Sequence, residues 1–198
     1  QMIGEFEKPI YVKYDEGLCA HSRNKIDGCS RCLDVCPAGA IQSLGDQVNI
    51  DPAICGGCGL CGAVCPSGAA QTAYPPADHL FSNMANLLNH YQEAGGKTPV
   101  LLLHDGTYGI EMIETIARYG RGLPANMPPV SMHAMGRAGH DAMVAAVALG
   151  CHQVFVLLNP SKDIENGPLV DQVKLARAML AGVNADADKI GRSTRLNS

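Results

Sequence analysis

The cysteines of this chain occur in two closely spaced runs, and thiolates at such spacing are ligands for soft metals. The second run has the spacing Cys-x2-Cys-x2-Cys-x3-Cys-Pro, which is typical of the bacterial loop that holds a four-iron cluster. The first run, Cys-x2-Cys-x3-Cys-Pro, is one cysteine short. The runs comprise Cys29, Cys32 and Cys36, then Cys55, Cys58, Cys61 and Cys65. Because the last cysteine of such a run binds the other cluster of a pair, the complete run predicts a second cluster.

The two runs belong to an internal duplication. Each cysteine of the first run lies 29 positions before its counterpart in the second run. The Pro-Ala-Gly-Ala segment that follows the first run corresponds to Pro-Ser-Gly-Ala after the second run. In this register the counterpart of Cys55 is Ile26, which has no metal-binding group. The nearest thiol upstream is Cys19, so we expect a longer loop over residues 20–28 to bring Cys19 to the first cluster.

Other arrangements of ligands remain open. A three-iron cluster with an open corner needs no fourth cysteine, and His21 or Asp27 could take the fourth place instead. A zinc site also uses Cys-x2-Cys pairs, although two overlapping runs that both end in Cys-Pro favour iron. The ninth cysteine, Cys151, belongs to neither run, and we interpret it as an inert buried thiol.

Composition and charge restrict the class of protein. No apolar run approaches the roughly 18 residues of a membrane span, and cysteines at metal-ligand spacing favour a reducing, cytoplasmic location. Residues 1–96 carry ten acidic and five basic side chains. This negative charge disfavours nucleic acid as a partner and favours a redox protein with a basic surface. The negative charge has a local exception around the first run, where three basic residues occur, Arg23, Lys25 and Arg31.

Residue patterns predict small strands around the cysteines and a longer helix after them. Strands are expected over 10–14 and 69–74, with a hairpin over 40–50 that turns at Gly45-Asp46. After Pro75-Pro76, apolar residues recur at helical spacing until Gly95-Gly96. The expected units are a cluster domain over 1–75 and a linker helix over 76–96.

From Pro99 onward the pattern changes to apolar strands that alternate with amphipathic helices. An unbroken apolar run from Val100 predicts a strand buried on both faces, and further strands are expected over 129–132 and 154–158. The order β-α-β-α-β-α predicts a small parallel sheet over 97–190, followed by a patternless tail over 191–198. The glycine loop at 136–139 is not a dinucleotide fingerprint, so bound flavin is not expected.

Residues 19–73 resemble the bacterial-type ferredoxin with two four-iron clusters. This resemblance implies two sets of ligands. The first cysteine set is Cys19, Cys29, Cys32 and Cys65, and the second cysteine set is Cys36, Cys55, Cys58 and Cys61.

Residues 98–190 resemble the iron–sulfur delta subunit of methyl-viologen-reducing hydrogenases, which is a flavodoxin-like electron-transfer unit. The resemblance lies in Gly-x-x-Gly-His-Asp-Ala-Met at 136–143, the strand over 150–158 and the closing helix. That family has cysteines in the loops after its first and third strands. Here the corresponding loops, 104–108 and 159–162, have none.

The sequence therefore predicts an α+β ferredoxin-like cluster domain followed by a small three-layer α/β domain of flavodoxin-like type. We expect an electron-transfer component of an oxidoreductase that carries two [4Fe–4S] clusters and passes single electrons between a redox enzyme and a partner. The resemblance implies a hydrogenase or formate dehydrogenase system. Two alternatives are a reductase whose α/β domain binds flavin or substrate, and an iron or redox sensor.

Overall fold

The computed structural model describes residues 7–23 and 28–196. The N-terminal half consists of two antiparallel strand pairs and two short helices. Its elements are β1 Val12–Tyr14, α1 Arg31–Asp34, β2 Ile41–Ser43, β3 Val48–Ile50, α2 Leu60–Val64 and β4 Ala70–Thr72. β1 pairs with β4, and β2 pairs with β3 in the expected hairpin. Because such short elements bury little apolar surface, bound metal would contribute much of the folding free energy of this half.

The hydrophobic core of the N-terminal half is small and includes thiols. Val12 comes from β1, and Ile41 and Val48 come from the hairpin. Two cysteines, Cys19 and Cys61, are buried members of the same cluster. Four further cysteines pack against its edge, namely Cys32, Cys36, Cys55 and Cys65. The cysteine loops are therefore part of the core of this half.

The C-terminal half is a layered α/β unit. Its elements are α3 Ala77–Glu93, β5 Val100–Asp105, α4 Tyr108–Tyr119, β6 Pro129–Met132, α5 His140–Ala148, β7 Gln153–Leu157, α6 Asp163–Gly182 and β8 Ile190–Ser193. Single 3₁₀ turns lie at Met135–Arg137 and Ala187–Lys189. The four strands form one parallel sheet in the order β6-β5-β7-β8. The α/β class expected for this half is confirmed.

The two faces of the sheet are covered by different helices. Leu101 and Leu103 of β5 point into a core shared with α3, α5 and α6. Leu102 points to the opposite face, where it lines a cavity with Ile116 of α4 and Phe155 of β7. Right-handed crossovers place α4 on one face and α5 and α6 on the other, in agreement with this packing.

Two features of the C-terminal half differ from the sequence-based expectation. The sheet has four strands, because residues 190–193 form β8 and pair with β7 from Val154↔Ile190 to Leu157↔Ser193. The expected tail is therefore corrected at residues 191–193. The helix expected to be a linker, α3, contributes the fully buried Met84 to the core of the α/β half. Across the described ranges, no helix is both long and apolar enough to cross a membrane.

Candidate metal centre

The two cysteine loops end in the same backbone turn. The amide of Gly39 donates to the carbonyl of Cys36 at 3.2 Å, and the amide of Gly68 donates to the carbonyl of Cys65 at 3.4 Å. Both glycines have positive φ, +62° and +67°, a conformation that a side chain disfavours. The internal duplication is thus visible in the fold as well as in the spacing of the cysteines.

Four cysteines line one cavity of about 40 Å³ in the N-terminal half. The apolar part of its wall includes Val12, Ile41 and Ile50. The four cysteines are Cys36 from the first run and Cys55, Cys58 and Cys61 from the second. The structure therefore brings together the members of the second cysteine set, which come from both runs.

Burial makes the thiols of the second cysteine set difficult to ionise without a metal. Burial, followed by the charges of Cys58 and Cys55, raises the pKa of Cys61 to about 12. Burial also raises the pKa of Cys58, and the negative charges of Cys36 and Glu165 add to this effect. Since metals bind the thiolate form, a bound cationic centre would offset this mutual repulsion.

The first cysteine set is also a connected group. Burial, followed by the charges of Cys65, Cys19 and Cys29, raises the pKa of the Cys32 thiol to about 11. All three other members of the set therefore lie within electrostatic range of Cys32. They come from the irregular loop, the first run and the end of the second run.

Cys19 is held inside the domain by a chain of hydrogen bonds. Its side chain is buried, which would raise its pKa, but hydrogen bonds from the Tyr14 hydroxyl and from Ser22 outweigh burial and lower the pKa. The Tyr14 hydroxyl lies 2.8 Å from Oγ of Ser22, which accepts the amide of Val48 at 3.1 Å. A buried thiolate that accepts such donors has the chemistry of the missing ligand.

His21, the alternative ligand, makes a different set of contacts. The ring is 1% exposed, with Nδ1 3.1 Å from the carbonyl oxygen of Cys29 and Nε2 2.8 Å from that of Gly45. Because both nitrogens face carbonyl oxygens, the ring ties the irregular loop to the β2–β3 turn. The other alternative, Asp27, and the register position Ile26 lie outside the described residues.

Cys65 accepts hydrogen bonds from the turn that follows it. Burial would raise its pKa, but the amides of Ala70, Ser67 and Ala69 and the Ser67 hydroxyl lower it. The Ser67 hydroxyl lies 3.7 Å from the sulfur. Hydrogen bonds to ligand sulfur influence both metal affinity and reduction potential. Two members of the first cysteine set therefore have donors built around them.

The α/β half closely approaches the second cysteine set, a contact that the sequence did not indicate. A Cβ on Gly136 would overlap the carbonyl oxygen of Cys58 and would lie 2.9 Å from the backbone nitrogen of Leu60. The side chain of Arg137 covers Gly59, whose added Cβ would overlap Cγ of the arginine. In the sequence, the glycines at 136–139 indicate a loop without the dinucleotide fingerprint and contribute to a family resemblance, but they do not predict a contact with Cys58.

A polar network occupies the carboxyl ends of β5 and β7. The buried carboxylate of Asp105 accepts the amide of Gly109 at 2.7 Å, the Thr107 hydroxyl at 3.1 Å and Nδ2 of Asn159 at 2.9 Å. Burial would raise the pKa of Asp105, but these donors lower it. The network joins the ends of two neighbouring strands and satisfies the buried carboxylate.

Two other side chains of the C-terminal half, Cys151 and His140, have hydrogen-bond partners within the fold. Cys151 is buried and its sulfur lies 2.8 Å from the carbonyl oxygen of Gln153, as expected for an inert thiol. The ring and amide of His140 both approach Oε1 of Gln172, at 2.7 Å and 3.3 Å. His133 is exposed to solvent.

The donor chemistry of the two cysteine sets can be compared with the needs of different metals. All nine cysteines are free thiols. Within residues 7–23 and 28–196, no group of three or more His, Cys, Asp or Glu side chains could hold a single metal ion. Two separate sets of four thiols are, however, the donors that two four-iron clusters require.

The comparison with protein families bears on the choice between zinc and iron–sulfur clusters. Residues 27–69 match the family model of the 4Fe-4S dicluster domain. The match covers seven of the eight expected ligands and begins after Cys19. It confirms a ferredoxin-type segment and supports binding of [4Fe–4S] rather than zinc. A comparison with curated proteins finds no match.

Proposed function

We propose that the protein is an electron-transfer protein that binds two [4Fe–4S] clusters, one at each cysteine set. The observation that carries this proposal is the cavity lined by all four members of the second set, within a segment that matches the dicluster domain. A bound four-iron cluster supplies one-electron oxidation and reduction.

The chain's own residues would hold the thiolates in place and adjust their charge. The Tyr14 hydroxyl and Ser22 stabilise the thiolate of Cys19, and the amides after Cys65 do the same for that sulfur. The ring of His21 fixes the loop that carries Cys19. These contacts support Cys19 as the fourth ligand of the first set.

For the C-terminal half we propose a flavodoxin-like domain without a cluster or flavin. Counted from β5, the strand order is 2-1-3-4, which corresponds to the first four strands of the flavodoxin order. In such sheets a ligand binds where the strand order reverses, here between the ends of β5 and β7. The hydrogen bond between Asp105 and Asn159 lies at this position, and both loops lack cysteines.

The biological setting is a further part of the proposal. A two-cluster protein with no acid–base or nucleophilic site assigned to it suits a component of a cytoplasmic oxidoreductase. Its partner would be a redox protein, in a system of the hydrogenase or formate dehydrogenase type. The proposed domain boundary lies at Pro75-Pro76, where the two hydrophobic cores separate.

The test is an anaerobic preparation with iron and acid-labile sulfide counted per chain. We expect about eight irons and eight sulfides, with EPR signals of two interacting reduced clusters. Stoichiometric zinc without sulfide would refute the proposal.

Substitution of the irregular ligand tests the assignment of the first set. Cys19→Ser should convert one cluster to a three-iron form or destroy it, and should leave the other intact by EPR. Cys151→Ser is the matched control, because it removes a thiol that is also buried but lies far from both runs in the sequence. Two intact four-iron clusters in Cys19→Ser would exclude Cys19 as a required ligand.

A further inference from the structure

The two cysteine sets differ in what covers them. Next to the second set, Leu60 is fully buried and Gly136 of the α/β half packs on the carbonyl of Cys58. Glu165 of α6 is also close enough to influence the pKa of Cys58. The second set therefore lies at the junction of the two halves. In the first set, Cys19 is surrounded by turns of the N-terminal half, whereas Cys65 lines a cavity of about 360 Å³ that Leu80 and Arg137 of the α/β half also line.

Two exposed turns lie side by side next to Cys19. The first, residues 15–18, leads directly into Cys19, and the second is the β2–β3 turn at residues 44–47. Nε2 of Gln47 donates to Oε1 of Glu16 at 3.4 Å, which links the two turns. Through His21, the second turn is also connected to the backbone of Cys29.

These turns carry exposed apolar side chains together with exposed acidic ones. Leu18 is 45% exposed and Leu44 is 62% exposed. The acidic residues on the two turns are Asp15, Glu16 and Asp46, and neither turn contains a basic residue. We name residues 15–18 and 44–47 the acidic turn surface. An apolar centre with a charged rim is the usual form of a transient protein interface.

Resting on the proposed function, we propose that the acidic turn surface is where electrons pass between the first cysteine set and a redox partner with a basic rim. A second exposed apolar residue, Ile54, lies in the loop before Cys55, but Lys8 donates to the neighbouring Ala53 carbonyl there. Charge complementarity with a cationic protein therefore favours the acidic turn surface over the Ile54 loop.

The test measures reoxidation of the dithionite-reduced protein by stopped flow, with cytochrome c as the cationic acceptor protein. The double variant Glu16→Lys/Asp46→Lys should react about tenfold more slowly at an ionic strength of about 0.01 M, and the difference should shrink at high salt. Reaction with ferricyanide, an anion, should instead become faster. Glu111→Lys/Glu114→Lys, two exposed positions on α4, is the control for total charge.

The apolar centre is tested separately with Leu18→Ser/Leu44→Ser, which should slow the reaction with cytochrome c while Ile54→Ser does not. Ile54 is a matched control because it is 47% exposed. Iron and sulfide are counted in every sample, so a failure of the proposed function is seen before any rate is measured. If Glu16→Lys/Asp46→Lys loses a cluster, Glu16→Gln/Asp46→Asn replaces it and should also react more slowly with cytochrome c.

Three results would overturn the inference while leaving the proposed function intact. The first is an equal loss of rate in the α4 control, and the second is a loss confined to Ile54→Ser. The third is an unchanged rate with cytochrome c in Glu16→Lys/Asp46→Lys at low ionic strength, which would show that the cationic acceptor does not bind at these turns.

Discussion

The close contact between the two halves can be tested by adding one methyl group. Gly136→Ala would place Cβ over the carbonyl oxygen of Cys58, 2.8 Å from Cγ of Leu60 and 2.9 Å from its backbone nitrogen. Ordinary contacts of this kind begin near 3.4 Å, so the 3₁₀ turn must move away by about half an ångström or more. Leu60 is fully buried and the opposing atoms are mostly backbone, so there is little room for relaxation.

Overpacking of this kind costs about 1–3 kcal/mol. We therefore expect amide hydrogen exchange in α2, measured on the cluster-loaded protein, to become about 5- to 150-fold faster. The amide of Ala63, which donates to the carbonyl of Gly59, is the reporter. Gly182→Ala is the control, because a Cβ there meets nothing within 4 Å and the residue ends α6. Unchanged exchange at Ala63 in Gly136→Ala would refute the contact.

Three further predictions concern the network in the α/β half, the two cores and the ligand environment. Asp105→Asn should lower the free energy of opening, measured by amide exchange in β5 and β7, by about 1–3 kcal/mol at pH 7. The reason is that the NH2 group of the new amide would face hydrogen-bond donors. The pKa of Asp105 is lowered in the fold, so this stabilisation is present above its unfolded value of about 3.9 and is lost as the pH falls through the folded pKa. The difference in free energy of opening between Asp105→Asn and the wild type should therefore become smaller at about pH 3. An equally large difference at that pH would contradict this reasoning. Removal of metal by chelation and oxidation should abolish the protection of backbone amides from exchange between Cys19 and Thr72, and should leave that of β5 and β7 intact. Loss of protection in both regions together would show that the two halves unfold as one cooperative unit. Tyr14→Phe should lower the reduction potential of one cluster in an EPR-monitored titration, with no shift if the hydroxyl does not reach the Cys19 sulfur.

The two cysteine runs could be recognised because ligand spacing is a local property of the sequence, whereas the two sets that combine these runs were implied by the family resemblance. The 29-residue repeat was visible in the sequence, and in the structure the residues after Cys36 and Cys65 form the same turn, each with a glycine at positive φ. The parallel sheet was also predictable, since β5 begins with four consecutive apolar residues from Val100 and is buried at all six positions.

The missed features depend on contacts between distant residues. β8 has one buried apolar side chain, Ile190, and is held to β7 by backbone pairing, which leaves no periodic pattern to detect. The packing of Gly136 on Cys58 joins residues 78 positions apart, and a glycine that allows close approach looks like any loop glycine in a sequence. Likewise, Asp105 and Asn159 become partners only when two parallel strands align their ends.

The hydrogen bonds and the packing together make the two cysteine sets unequal. In the first set, donors lower the pKa of Cys19 and Cys65, although burial raises that of Cys32. In the second set, burial raises the pKa of Cys58 and Cys61. Hydrogen bonds to sulfur and exposure to solvent both stabilise the added negative charge of a reduced centre. On the proposed function, the donors around Cys19 and Cys65 would stabilise added negative charge at the first set. The turn at 15–18 leads directly into Cys19, so the donors to this sulfur and the acidic turn surface lie next to each other, and both favour this set as the one that exchanges electrons with the proposed partner.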